Sequence, residues 1–148
     1  MNFKKIIKYL THLLPWFLSS IIFKIDTNYY NNLNLPFFAP PSFIFPIVWT
    51  IIFILISIST YIVLSKSNTN YKIYLTINYL AVQSYTLCFF ILKNNLLSLA
   101  DTLIVLISSL YLYIETKLID KKASKYLMPY IIWNIFATIL SLSIIYLN

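Results

Sequence analysis

The amino-acid sequence predicts an all-α fold, an integral membrane bundle of five transmembrane helices, on three observations. First, 60% of the 148 residues are hydrophobic and only 10% charged, with mean hydropathy +0.80. Soluble domains run at ~45–50% apolar and ~25% charged, and a fold of this size has too little interior to hide the excess. Second, lysines divide the chain into apolar runs of the length that crosses a bilayer core of ~30 Å, ~20 helical residues. Third, those lysines fall on alternate connections, as orienting charges do.

The runs are taken in order. Lys8 and Lys24 bracket fifteen uncharged residues, short for a span, but lysine stems can snorkel from both ends, so a helix is predicted over 6–26. A signal peptide is the rival reading, and no small-residue cleavage pattern follows the apolar stretch. Residues 27–41 are rich in Asn, Pro and Tyr and read as a loop; 42–65 is the second span. The third, 72–93, contains twenty uncharged residues between Lys72 and Lys93. The fourth, 96–117, is interrupted by Asp101 and Glu115 near its two ends, where both are expected at the headgroups, a buried hydrogen-bonding Asp101 being the alternative. The fifth, 125–147, has Pro129 in its first turns, where it either bends the axis or starts the helix.

With five spans, Lys4, Lys5, Lys8, Lys66, Lys72, Lys117, Lys121, Lys122 and Lys125 share one side, and Lys24 and Lys93 the other. That bias predicts a cytoplasmic N-terminus and an external first loop. Serines 19, 20, 57, 59, 108 and 109 and Ala137 must supply the small surfaces between helices, because the chain has no glycine.

Composition also narrows function. With no glycine there is no Gly-rich phosphate loop. Cys88 and His12 stand alone, so neither a thiolate or histidine metal cage nor a Ser-His-Asp arrangement has enough parts; no catalytic or metal residues are assigned. The net charge of +7 comes from dispersed lysines without arginine, unlike a nucleic-acid-binding patch.

The run from Tyr30 to Tyr61 reads YNNLNLPFFAPPSFIFPIVWTIIFILISISTY. Its Tyr30, Leu33, Pro36, Pro40, Pro41, Phe45, Trp49, Thr50 and Phe53 resemble the signature of the TspO/MBR family. These are the tryptophan-rich sensory proteins related to the mitochondrial translocator protein. Leu99-Ala100-Asp101 resembles the family's fourth helix, and Pro129 to Thr138, PYIIWNIFAT, its fifth. Departures are Ser57 for a glycine, Ser141 for an asparagine, and Val82, Gln83 and Tyr85 where many members carry an asparagine followed by tryptophan. The C-terminal basic residue of the animal sterol motif is missing from 140–148, so sterol binding is not expected.

Helix geometry suggests where a ligand would sit. Tyr130, Trp133, Ala137 and Ser141 form one stripe that turns from bulky to small, and Trp49 and Phe53 share a face. Tyr79, Gln83, Thr86 and Phe90 form another stripe, flanked by Val82, Tyr85 and Phe89, and a mid-span Gln83 should face the interior. Stacked aromatics with a few hydroxyl and amide groups suit a flat, largely apolar ligand.

The resemblance implies that this ligand is a porphyrin or related tetrapyrrole, protoporphyrin or haem-type, bound without a required cofactor. It places Tyr30, Pro40, Trp49, Phe53, Trp133 and Ala137 at the site, with 27–41 as a lid. Gln83, Tyr85, Thr86, Phe89 and Ser141 join them from the stripes, whereas Trp16 matches no motif and is expected to be an interface anchor. The resemblance further implies a homodimer in a bacterial cell membrane, sensing, regulating or handling porphyrin. Light-dependent porphyrin degradation and transport of a lipophilic ligand are the alternatives.

Overall fold

The computed structural model describes residues 3–148, without the side chains of residues 3–6 and Lys8. Those of Lys4, Lys5 and Lys8, part of the orientation count, therefore lie outside the described ones. Every described element is helical: α1 Phe3–Leu13, α2 Leu18–Ile22, α3 Thr27–Asn31, α4 Ile44–Val63, α5 Thr69–Thr86, α6 Asn95–Ile119, α7 Lys121–Lys125 and α8 Met128–Leu147. α1 with α2, α4, α5, α6 and α8 form the five rods of an all-α membrane bundle. Three stretches, Ile44–Lys66, Asn95–Ile119 and Lys121–Leu147, are long and apolar enough to cross a bilayer, and Tyr9–Ile22 is a shorter apolar one. α5 is more polar, with Asn70, Lys72, Asn78 and Gln83 along its length. The outward faces are greasy on every turn: Ile47, Ile51 and Ile54 on α4, Ile104, Ile107 and Ile114 on α6, and Ile132, Ile135 and Ile139 on α8 are exposed.

Local chemistry sets the breaks. Asp26, Asn68, Asn94 and Asp120 cap α3, α5, α6 and α7, their side-chain oxygens accepting from Tyr29, Tyr71, Leu97, and Lys122 with Ala123 respectively. Pro129 stands in the first turn of α8, where its missing N–H is no loss. It starts the helix, which settles the choice left open by the sequence. The first rod is not the continuous helix expected over 6–26. Pro15 lacks the N–H that would bond back into the preceding turn, and the chain tightens into a 3-10 turn over Leu14–Phe17 before resuming as α2.

Neighbouring rods repair that break. Tyr79 donates its hydroxyl to the Pro15 carbonyl at 3.1 Å, and the Gln83 amide donates to the Trp16 carbonyl at 3.2 Å. The Gln83 oxygen accepts from the Ser19 N–H at 2.7 Å. In a membrane such freed backbone groups must find partners inside the protein.

α6 lies between α5 and α8, and a polar knot ties the three. Asn78, fully buried, donates to Ser108 Oγ at 2.9 Å and the Val105 carbonyl at 3.2 Å, and accepts the Tyr130 hydroxyl at 2.9 Å. Ser57, Ser59, Ser108 and Ser109 are all buried at helix contacts. Ser57, Ser108 and Ser109 also turn their hydroxyls back onto carbonyls of their own helices, at 2.6–2.7 Å.

Candidate ligand-binding site

Residues 27–41 form a strap across one end of the bundle rather than an irregular loop, since Asp26 nucleates α3 within it. The Tyr30 hydroxyl donates to the Pro40 carbonyl at 2.8 Å, closing the strap on itself. Its first part is held by the Asp26–Lys93 ion pair at 3.1 Å and by Tyr29 donating to Asn95 Oδ1 at 3.0 Å. Further along, the Asn34 N–H donates to Asn148 Oδ1 at 2.9 Å while Asn148 Nδ2 donates to the Asn34 carbonyl at 3.1 Å. Lys93 itself takes φ of 49°, a left-handed turn that lets the chain reverse from the π-helical end of α5 into α6.

Beneath the strap is a cavity of about 230 Å³. One wall is the face of α4 repeating every fourth residue, Phe45, Trp49 and Phe53, with the Trp49 and Phe53 rings 5.4 Å apart. Opposite it, α8 contributes Trp133, Asn134, Ala137, Leu140 and Ile144. Trp133 meets the Phe45 ring edge-on at 6.0 Å, closing the aromatic circuit between the two helices. α5 adds Val82, Tyr85 and Thr86, and the π-helical turn that follows it, Leu87–Ile91, adds Phe89 on the same face, with Tyr85 stacked on Phe89 at 5.6 Å. Tyr30 roofs the space, buried and edge-on to Phe45 at 5.2 Å. Burial pushes its hydroxyl up to about 12 from an ordinary value near 10, so it stays a donor. No charged side chain lines the cavity among the described residues.

Residues 9–147 match the sequence model of the TspO/MBR family. Over 131 residues the chain is 36% identical to the uncharacterized membrane protein YtaB of Bacillus subtilis, covering 86% of this chain and 84% of that protein. Over 147 residues it is 33% identical to the tryptophan-rich protein TspO of Bacillus cereus, 97% of this chain and 95% of that one. The tryptophan-rich sensory protein of Cereibacter sphaeroides is 27% identical over 124 residues, 81% and 77% of the two chains. The chain belongs to the TspO/MBR family.

In this TspO/MBR protein, eight residues singled out from sequence border one cavity: Tyr30, Trp49, Phe53, Tyr85, Thr86, Phe89, Trp133 and Ala137. Three do not. Pro40 stands behind Tyr30 as its hydrogen-bond acceptor. Ser141 is buried one turn beyond Ala137, off the wall. Gln83 faces inward as expected, but both ends of its amide are taken by the backbone of the broken first rod.

Two expectations outside the cavity are corrected. Trp16 is not an interface anchor: it is 4% exposed and stacks on Phe53 at 5.6 Å, on the ring that also meets Trp49. It lies in the 3-10 turn that follows the Pro15 break. Asp101 is not an exposed carboxylate either. It is 7% exposed and accepts from Ser84 Oγ at 2.6 Å, whereas Glu115 accepts from the exposed Asn68 amide at 3.0 Å. Phe45, Pro46, Thr50, Thr102 and Asn134 border the cavity without having been assigned to it. The four-residue spacing of Phe45, Trp49 and Phe53 was the available signal for the first; Asn134 had none, being one position off the aromatic stripe of α8.

Proposed function

We propose that this membrane protein binds a tetrapyrrole-type ligand in the cavity beneath the strap, as a sensor or handler of porphyrin. The supporting observation is the ring of Phe45, Trp49, Phe53, Tyr85, Phe89 and Trp133 around an uncharged space. Aromatic faces offer a flat π-system large contact area, and the uncharged wall favours an apolar body over an ion. At about 230 Å³ the space is below the ~300–1,000 Å³ usual for ligand pockets. A whole macrocycle therefore enters with the strap displaced or with part of its ring outside.

Titration of the purified protein with protoporphyrin, read by tryptophan fluorescence and the Soret band, tests this. Saturable quenching that weakens at least several-fold in Trp133→Phe is expected. Absence of saturable binding, or identical curves for the two proteins, refutes it. Light-dependent breakdown of the bound ring is the second reading, favoured by two tryptophans on the wall; a new absorbing product on illumination is its signature.

A further inference from the structure

Pro15 does more than interrupt the first rod; it changes the neighbour on which the rod packs. Before the break α1 lies against α4, and after it α2 lies against α5. α1 and α5 therefore diverge toward the end of the bundle that carries Lys66 and Lys72, and α4 is uncovered between them. The result is an open groove of about 320 Å³ that shares no lining residue with the cavity beneath the strap. Thr60 and Leu64 form its floor, with His12 of α1 on one side and Leu75 and Thr76 of α5 on the other. Tyr79, bonded to the Pro15 carbonyl at 3.1 Å, closes its apex.

The lining suits a hydrocarbon chain. Thr76 donates to the Lys72 carbonyl at 2.9 Å, Thr60 accepts the Tyr71 hydroxyl at 3.4 Å, and Thr11 Oγ1 lies 3.2 Å from His12 Nδ1. With those contacts made, the groove presents mostly methyl groups, methylenes and ring edges. Lys72 to Tyr79 spans ~10 Å along α5, a large part of the ~15 Å of hydrocarbon in one leaflet.

The mouth, in contrast, is basic. Lys72, Thr76 and Tyr79 share one face of α5, and Lys66 follows Leu64 at the end of α4. Both lysines are exposed, and neither is in an ion pair among the described residues. The acids at this end are engaged elsewhere: Glu115 accepts from Asn68, and Asp120 caps α7. An apolar channel that ends in two uncompensated cations is complementary to an acyl chain beneath a negative headgroup. A zwitterionic headgroup brings its own cation and gains less.

We infer that the groove between α1 and α5 binds an anionic phospholipid, with one acyl chain on Thr60 and Leu64 and the phosphate at Lys72 and Lys66. The site is independent of the tetrapyrrole reading.

Native mass spectrometry of the full chain in detergent, with phosphatidylglycerol or phosphatidylcholine of identical chains added, tests this. Two lysines beside an anionic headgroup correspond to a preference of about tenfold or more. Phosphatidylglycerol should therefore be retained about tenfold more strongly, as one adduct per chain. Lys72→Gln should bring it close to phosphatidylcholine, whereas Lys121→Gln with Lys122→Gln, on the same end but on α7, should leave the preference intact. Thr76→Trp, at an exposed position, should fill the groove and remove the adduct without changing the unfolding midpoint in lipid-free detergent. Equal retention of the two lipids overturns the inference. So does an equal loss in the Lys72 and the Lys121/Lys122 variants, which would mean diffuse charge and no site. A groove covered by a second copy of the chain also overturns it, and shows as a dimer without lipid that Thr76→Trp dissociates.

Discussion

Replacing Asn78 by leucine removes the knot that joins α5, α6 and α8, and the size of the effect follows from what each bond partner retains. Ser108 keeps its own bond to the Ile104 carbonyl at 2.6 Å, and the Val105 carbonyl belongs to the α6 ladder. The loser is the Tyr130 hydroxyl, which donates to Asn78 Oδ1 at 2.9 Å and sits on a fully buried residue. Leaving that donor unpaired costs about 1–3 kcal/mol. Removing both partners, Asn78→Leu with Tyr130→Phe, leaves no orphan, so the double variant should recover part of the loss. Interhelical hydrogen bonds in bilayers average about 0.6 kcal/mol and reach about 1.7. A coupling energy in that range is expected from unfolding equilibria of the four proteins in one detergent. Coupling below about 0.3 kcal/mol would show the two residues to be independent and the knot to carry no energy.

Three further outcomes follow from other contacts. Gln83→Leu strands the Ser19 N–H and the Trp16 carbonyl, so it should lower stability by about 1–3 kcal/mol while leaving porphyrin affinity unchanged; a selective loss of affinity would return Gln83 to the pocket. The Lys93 ammonium, then the Tyr29 N–H, hold the Asp26 carboxyl below its ordinary value near 3.8. A lowered folded value means the ion pair contributes fully above the ordinary carboxylate range and is lost as pH falls through the lowered one. Strap opening, read as the rate of porphyrin uptake, should thus be flat near neutral pH and rise only in strong acid. Asp26→Asn should remove that rise; an unchanged profile would detach the pair from the strap. For topology, single cysteines replacing Lys24 and Lys121 in a Cys88→Ser background should label from opposite sides of sealed vesicles, with Lys121 on the cytoplasmic side; same-side labelling would defeat the lysine arithmetic.

The sequence made the bundle legible because lipid imposes one demand repeatedly: apolar side chains outward on every turn, with charges only at the ends. Ile104, Ile107 and Ile114 could be read as outward-facing without knowing their neighbours. The aromatic wall was legible for a similar reason, since helical period alone puts Trp49 beneath Phe53 and Trp133 beside Ala137. What escaped was every feature in which a side chain answers a backbone group on another rod. Pro15 was visible, but its consequence depends on Tyr79 and Gln83 arriving from α5 to take up the carbonyls and N–H it frees. Gln83 faces inward but meets the broken first rod and not the cavity wall, because inward has two meanings when a broken helix stands on one side and a cavity on the other. For Asp101, spacing from Glu115 favours two headgroup carboxylates and the Leu99-Ala100-Asp101 match favours a buried hydrogen-bonding group; the structure takes the second, with Ser84 of the adjacent helix as the partner. The backbone's demand for partners, unlike the lipid's demand for grease, is met at long range in sequence.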